Sequence, residues 1–236
     1  MVKILQANKE YESNIRQYGK KDGISAIILF TIFILIYSVL AVLDIKIDFV
    51  KSNILLIGCI FNVLITVITI LFVKIRKQKL DSIGLYNGKW KTSCIVGFIL
   101  ACIFLFNNCI SHLINGVRLI DIKEIIILSI YYLSVSFCEE IVFRGYIGTR
   151  IYGFIKNKYL SIIVVSFLFI VMHFPYRMIA FGMTLTELTI KNFWWILNLF
   201  VTHIIFNFIY LKTNSLYGCI IPHWISNLAY NIVSKA

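Results

Sequence analysis

The chain alternates between long apolar runs and short polar stretches. An apolar run of about twenty residues is long enough to cross a bilayer as a helix, so each run is predicted to be a transmembrane span. Seven spans are predicted, within a range of six to eight: 23–43, 53–73, 92–114, 125–155, 160–174, 193–211 and 215–233. The predicted fold is therefore all-α, a polytopic transmembrane helical bundle. It is divided into a basic amino-terminal segment 1–22, amino-terminal helices 23–114 and a core 115–236.

The fourth run is longer than a membrane requires. A helix over 125–155 would reach about 46 Å, against a hydrocarbon core of about 30 Å. We therefore expect the helix to bend or to leave the membrane after Gly145. Pro175 is expected to end the fifth span and Pro222 to bend the seventh. The stretch 176–191 is predicted to be an irregular, partly amphipathic connection.

Composition and charge support a membrane protein. The chain has 236 residues, of which 60% are hydrophobic and 14% charged, whereas soluble domains are about 45–50% apolar and about 25% charged. The net charge of +12 does not indicate a nucleic-acid partner, because the basic residues lie in loops between the spans. Alternation places the basic loops 1–22, 74–91 and 150–158 on one side. The positive-inside rule then predicts a multi-pass protein of the cell membrane with a cytoplasmic amino terminus.

The six cysteines lie inside apolar runs and form no Cys-x-x-Cys pair. This placement is typical of small buried hydrophobic residues, without disulfides or a thiolate metal site. No serine or cysteine has a sequence context that indicates an activated nucleophile.

Charged residues interrupt the fourth span. Glu139, Glu140 and Arg144 lie within an otherwise apolar run, where each charge costs about 2.5–3.5 kcal/mol on insertion scales and therefore indicates a functional site. Glu140 and Arg144 are four residues apart and can pair on one helix face. Glu139 then retains a free carboxylate.

Three more polar residues lie in the later spans: His173, His223 and Asn227. Depth can be estimated by counting about 1.5 Å per residue from the nearest basic loop residue. This places Glu139 and His223 at about 17 Å and His173 at about 22 Å, so the helices are predicted to bring them to one intramembrane cavity. His203 and His112 are interpreted instead as interhelical hydrogen-bonding groups.

A carboxylate and an imidazole can together take a proton from water and produce a nucleophile for a peptide carbonyl. A second imidazole with an amide can donate hydrogen bonds to the resulting oxyanion. Glu139, His173 and His223 also form the two-histidine, one-carboxylate set of catalytic zinc sites. The sequence leaves a metal-bound water and a carboxylate-activated water as alternatives.

Three motifs in order resemble the CPBP family, which contains the CAAX prenyl endopeptidases of the Rce1 type and the bacteriocin-processing or immunity (Abi) proteins. They are Glu139-Glu140-x-x-x-Arg144, Phe169-x-x-x-His173 and His223-x-x-x-Asn227. The resemblance covers about residues 120–233. It includes Gly145 and the sequence Thr-Asn-Ser-Leu at 213–216, where family members usually have Thr-Gly-Ser-Leu.

The resemblance implies an intramembrane endopeptidase with an all-helical fold. Our first hypothesis is a membrane-embedded protease that cleaves a peptide or protein substrate near the cytoplasmic side of the membrane. The resemblance also implies that Glu139 and His173 activate water and that His223 and Asn227 stabilise the oxyanion. Glu140 and Arg144 would support the site. For cofactors, it leaves open either none or a single divalent metal such as zinc.

The composition, rich in Lys, Ile and Asn, is typical of a low-GC bacterial protein. For such a protein the resemblance suggests a bacteriocin or pheromone precursor, or a membrane regulator, as the substrate. The alternative interpretation is a non-catalytic bacteriocin-immunity or membrane scaffold protein. A transporter is less favoured, because neither internal repeats nor broken half-helices are evident.

Overall fold

The computed structural model describes residues 7–85 and 89–233. The first six residues of the predicted basic segment, residues 86–88 and the last three residues of the predicted core lie outside the described residues. Within the described ranges the secondary structure is helical without β-strands, apart from one isolated bridge between Leu119 and Val233.

The helices follow one another with short connections. In chain order they are α1 (Lys9–Arg16), α2 (Lys20–Lys46), α3 (Asp48–Ser52), α4 (Ile54–Ile75), α5 (Trp90–Ile114), α6 (Ile122–Ile155), α7 (Lys158–Val171), α8 (Phe174–Ala180), α9 (Leu185–Lys191), α10 (Phe193–Thr213) and α11 (Tyr217–Asn231). A short 3₁₀ turn, Leu80–Ile83, precedes α5.

The all-α polytopic bundle predicted from the sequence is confirmed. Among the described helices, six are long and apolar enough to cross a membrane: α2, α4, α5, α6, the continuous pair α7–α8 and α10. The predicted seventh span is α11, which has 15 residues and reaches only about 22 Å. It packs mainly against α5 and α6, so it completes the bundle without the length to span a bilayer.

The expected irregular connection at 176–191 is wrong, because this stretch forms α8 and α9. Pro175 lies in the first turn of α8, where a missing N–H costs no intrahelical hydrogen bond. Thr184 caps α9: its hydroxyl accepts from the Glu187 backbone N–H, and the Glu187 carboxylate accepts from the Thr184 backbone N–H. This capping box gives the short helix a defined start.

The expected bend of the helix, or its exit from the membrane, after Gly145 stays a prediction. Helix α6 widens into a π-helical segment over Glu140–Ile147 and continues to Ile155. A side chain at Gly145 would approach the Ile83 carbonyl to 2.9 Å, so glycine permits the 3₁₀ turn to pack against the widened helix. Such π segments are often found at functional sites.

Arg150 belongs to the core and not to an exposed basic loop. Its guanidinium is fully buried and donates to the Gln78 side-chain oxygen and the Ser82 hydroxyl, each at 2.7 Å. It also lies over the rings of Tyr18 and Tyr146, at 4.5 and 4.4 Å. It thus ties the amino-terminal segment to the end of α6. The cytoplasmic placement of that segment stays a prediction.

Candidate active site

The two carboxylates lie where α6 changes its winding. Glu139 is the last residue of the regular α-helical part and Glu140 the first of the π-helical part. Both are buried, at 5% and 0% exposure. Glu140 Oε2 pairs with Arg144 Nη1, whose side chain is also buried. The pairing expected from the four-residue spacing is therefore present.

The second oxygen of Glu140 was not anticipated to have a partner. Glu140 Oε1 accepts a hydrogen bond from His223 Nδ1 at 2.7 Å. This contact turns His223 Nε2 towards Glu139 Oε2, at 3.7 Å. When neutral, His223 thus carries its proton on Nδ1 and exposes an unprotonated Nε2. Glu140 is shared between a guanidinium and an imidazole.

His173 lies between α7 and α8 and is oriented by the backbone. Its Nδ1 donates to the Phe169 carbonyl at 2.8 Å, one of the carbonyls at the end of α7 that lack an intrahelical partner. This bond leaves Nε2 available as a base. The ring packs edge-on against Phe169 and Trp195, with centroids 5.0 and 5.5 Å apart.

Four of the predicted site residues line one cavity of about 330 Å³: Glu139, His173, His223 and Asn227. Glu140 and Arg144 do not line it, and they lie behind Glu139 and His223. The cavity extends towards the ends of α2 and α4 that flank α3 and towards α8. That end of the bundle lies opposite the basic loops, so the geometry does not favour access from the predicted cytoplasmic side.

Two other histidines lie outside this cavity. His203 is buried, and its Nδ1 lies 2.9 Å from the Ser166 hydroxyl of α7 and 2.7 Å from the Asn207 amide nitrogen. The interhelical hydrogen bond predicted for His203 is thus present. Its carbonyl also accepts from Arg144 at 3.5 Å. His112 is exposed near the end of α5.

The described side chains do not form a metal-ligand cluster. No group of three or more His, Cys, Asp or Glu residues in residues 7–85 and 89–233 is placed to hold an ion. Glu139, His173 and His223 share a cavity without forming the compact three-ligand set that zinc requires. We therefore assign no step to a metal, and metal binding by these residues stays a prediction.

Sequence reasoning missed several residues of the cavity wall, among them Tyr37, Tyr131, Trp195 and Arg177. They come from four different helices, and no motif connects them. The sequence does not distinguish Trp195 from other aromatic residues, because such residues are common both in cores and at membrane interfaces. Arg177 had no partner in its own segment that would have indicated a role.

A comparison with protein families matches the part of the chain that contains the predicted site. Residues 121–229 match the family model described as "Type II CAAX prenyl endopeptidase Rce1-like". No curated protein and no solved structure matches the chain significantly. The matched segment starts just before α6 and ends within α11, so it contains every residue of the predicted site.

Proposed function

The chain belongs to the Rce1-like family of type II CAAX prenyl endopeptidases, and on that premise we propose that it hydrolyses a peptide bond with a water activated by Glu139 and His173. Family membership makes it a CAAX-type protease of the membrane. The observation that carries the finer proposal is the single cavity lined by Glu139, His173, His223 and Asn227 within the helix bundle.

The first step is attack by water on the scissile carbonyl. The water lies between the Glu139 carboxylate and the imidazoles. Glu139 takes one proton while His173 Nε2 accepts a hydrogen bond from the other. The water oxygen bonds to the carbonyl carbon, and the carbonyl electron pair moves onto its oxygen. Burial of Glu139 in α6 and the backbone contact of His173 hold both groups in position.

The oxyanion is then stabilised from α11. The Asn227 amide donates one hydrogen bond. His223 donates a second from Nε2 in its protonated form, because its Nδ1–H is held by Glu140. Glu139 finally passes its proton to the amide nitrogen, the carbon–nitrogen bond breaks, and the amine leaves. The Arg144–Glu140 pair fixes His223 throughout.

We propose a membrane-associated peptide or protein precursor as the substrate, such as a bacteriocin or pheromone precursor or a membrane regulator. The cavity supports this class because its wall combines polar residues with aromatic rings, including Tyr37, Tyr131 and Trp195. A wall of this kind suits an extended apolar peptide that carries a few polar groups.

The test is a cleavage assay on protein purified in detergent, with a fluorescence-quenched library of apolar peptides. Glu139→Ala and His173→Ala are expected to lower the rate by about 10²–10⁴-fold, and His223→Ala to do the same. Each variant should still accumulate in the membrane and elute as a single species. His112→Ala, at an exposed position, serves as the control with unchanged rate.

Cleavage by Glu139→Ala at the wild-type rate would refute the mechanism. If wild-type protein cleaves nothing and the Glu139, His173 and His223 variants keep the biological phenotype, the non-catalytic scaffold interpretation is correct. Treatment with a chelator distinguishes a water activated by the Glu139 carboxylate from a water bound to a metal. Activity that survives exhaustive chelation supports the metal-free step, and activity that is lost and restored by zinc supports a metal-bound water.

A further inference from the structure

Arg177 is a cation at the cavity that the proposed mechanism does not use. It lies in α8, four residues after His173, and its half-buried side chain forms part of the cavity wall. Its guanidinium carbon lies 3.8 Å from the centroid of the Trp195 ring. Trp195 also packs against His173. The same indole therefore connects Arg177 with the imidazole that is proposed to bind water.

Arg177 has neither a carboxylate partner nor a side-chain hydrogen bond within residues 7–85 and 89–233, whereas the buried Arg150 is satisfied by neutral acceptors such as Gln78 and Ser82. Arg144 pairs with Glu140, and Arg76 pairs with Asp22. The acidic residue that contacts α8 is Asp44, and it accepts from the neighbouring Tyr176 hydroxyl at 2.8 Å. Among the described residues, the Arg177 guanidinium therefore has no ion-pair partner and lies over the Trp195 ring.

A stacked guanidinium has its N–H donors directed along the plane of the ring, where they remain available. The partner that matches this fork is a carboxylate, which accepts two parallel charge-assisted hydrogen bonds. Because the cavity is partly shielded from water, such bonds are stronger there than at an exposed surface. The contact with Trp195 already restricts the Arg177 side chain, so little side-chain freedom is lost on binding.

We infer that Arg177 is a specificity residue that binds a carboxylate of the substrate within a few residues of the scissile bond. This inference rests on the proposed function. The carboxylate is either the chain terminus of the peptide or an Asp or Glu side chain. The position is supported because Arg177 and His173 both line the cavity and both contact the Trp195 ring. A carboxylate held by Arg177 therefore lies on the same wall of the cavity as the water held by His173.

The experiment measures peptide binding to the full chain in detergent, in the inactive Glu139→Gln background. The probes are an N-acetylated tetrapeptide of Leu, Ile and Val as the free acid, the same peptide as the carboxamide, and the carboxamide with one Leu changed to Asp. We expect the free acid or the Asp peptide to bind about 10–100-fold tighter than the plain carboxamide.

Arg177→Gln is expected to remove this difference while leaving carboxamide binding unchanged. Arg177→Lys, which keeps the charge and loses the planar fork, should restore part of it. Arg118→Gln is the matched control, because Arg118 is exposed and, by alternation of the helices, lies at the same end of the bundle. It should keep the full preference. Tight binding of the Asp peptide would show that a side-chain carboxylate is sufficient for recognition by Arg177. Tight binding of the free acid alone would show that Arg177 recognises the carboxylate at the chain terminus of the peptide.

Equal binding of all three probes would overturn the inference, as would binding by none of them or a preference that survives Arg177→Gln. The cleavage assay separates this failure from failure of the proposed function. If wild-type protein cleaves no peptide but binds carboxylate peptides more tightly through Arg177, the recognition site is supported and the protease mechanism is refuted. If wild-type protein cleaves peptides but shows no preference for a carboxylate, the mechanism is supported and the role of Arg177 is refuted.

Discussion

Replacing Glu140 by glutamine tests the most deeply buried charge pair of the site. Glu140 and Arg144 have side chains with 0% and 1% exposure. The change keeps the shape of Glu140 and removes its charge, leaving the Arg144 guanidinium buried without a counter-ion. Arg144 then keeps only neutral partners: the glutamine side-chain oxygen, the His203 carbonyl at 3.5 Å and the Phe169 and Phe206 rings at 5.7 and 5.1 Å.

Removing one partner of a buried ion pair costs about 3–5 kcal/mol. For a chain of this size, 1 kcal/mol corresponds to about 2–4 °C, so Glu140→Gln is expected to lower the Tm by about 6–20 °C. The assay is thermal unfolding in detergent followed by fluorescence. Glu124→Gln is the matched control, because Glu124 is exposed at the start of the same helix and contributes at most about 1 kcal/mol.

The double variant Glu140→Gln/Arg144→Met separates stability from catalysis. Because a neutral pair replaces a buried ion pair at little cost, most of the lost Tm should return. Cleavage should stay at least about tenfold below wild type, because His223 has lost the carboxylate that orients it. A Tm for Glu140→Gln equal to that of Glu124→Gln would refute the reasoning about the buried pair. Full cleavage activity in the double variant would refute the role given to Glu140.

Two further predictions concern packing and pH. Gly97→Ala should lower the free energy of unfolding by about 1–3 kcal/mol, because the added methyl would approach the backbone of α11 to 2.8 Å. Cys102 is exposed on the same helix, so Cys102→Ala should leave the Tm unchanged. Equal changes in Tm for the two variants would contradict this prediction. The hydrogen bond from Lys158 lowers the pKa of Glu12, so this pair stabilises the protein at neutral pH and stops doing so as the pH falls through the folded-state pKa. The Tm difference between wild type and Glu12→Gln should therefore be largest near neutral pH and shrink below about pH 4, while Glu10→Gln, at an exposed position, shows no such trend.

The local pattern was sufficient to select the residues of the candidate site, because charge in an apolar run is rare and expensive. Glu139, His173 and His223 were identified by that cost and by their similar depth, and the structure places all three around one cavity. Their catalytic roles stay predictions. Depth could be estimated because the rise of a helix per residue is constant. The same count could not say which faces of the helices meet.

Contacts between distant segments were not predictable in this way. Arg150 was counted with the basic loops, yet it is buried because Gln78 and Ser82 supply its hydrogen-bond acceptors. Pro175 was expected to end a span; α7 ends before it at Val171, and a further helix, α8, begins at Phe174. The burial of Arg150 depended on neighbours that the local sequence does not contain.

The sequence by itself determined the all-helical membrane fold, the approximate spans and the candidate residues of the site. The length of an apolar run and the cost of burying a charge are properties of a single segment, so both can be estimated from the sequence of that segment alone. Only the tertiary structure decided that Glu140 is shared between Arg144 and His223, and that Arg177 stacks on Trp195 at the cavity. Those contacts depend on how α6, α8, α10 and α11 are rotated against one another, and a pattern along one helix does not fix the rotation of its neighbours.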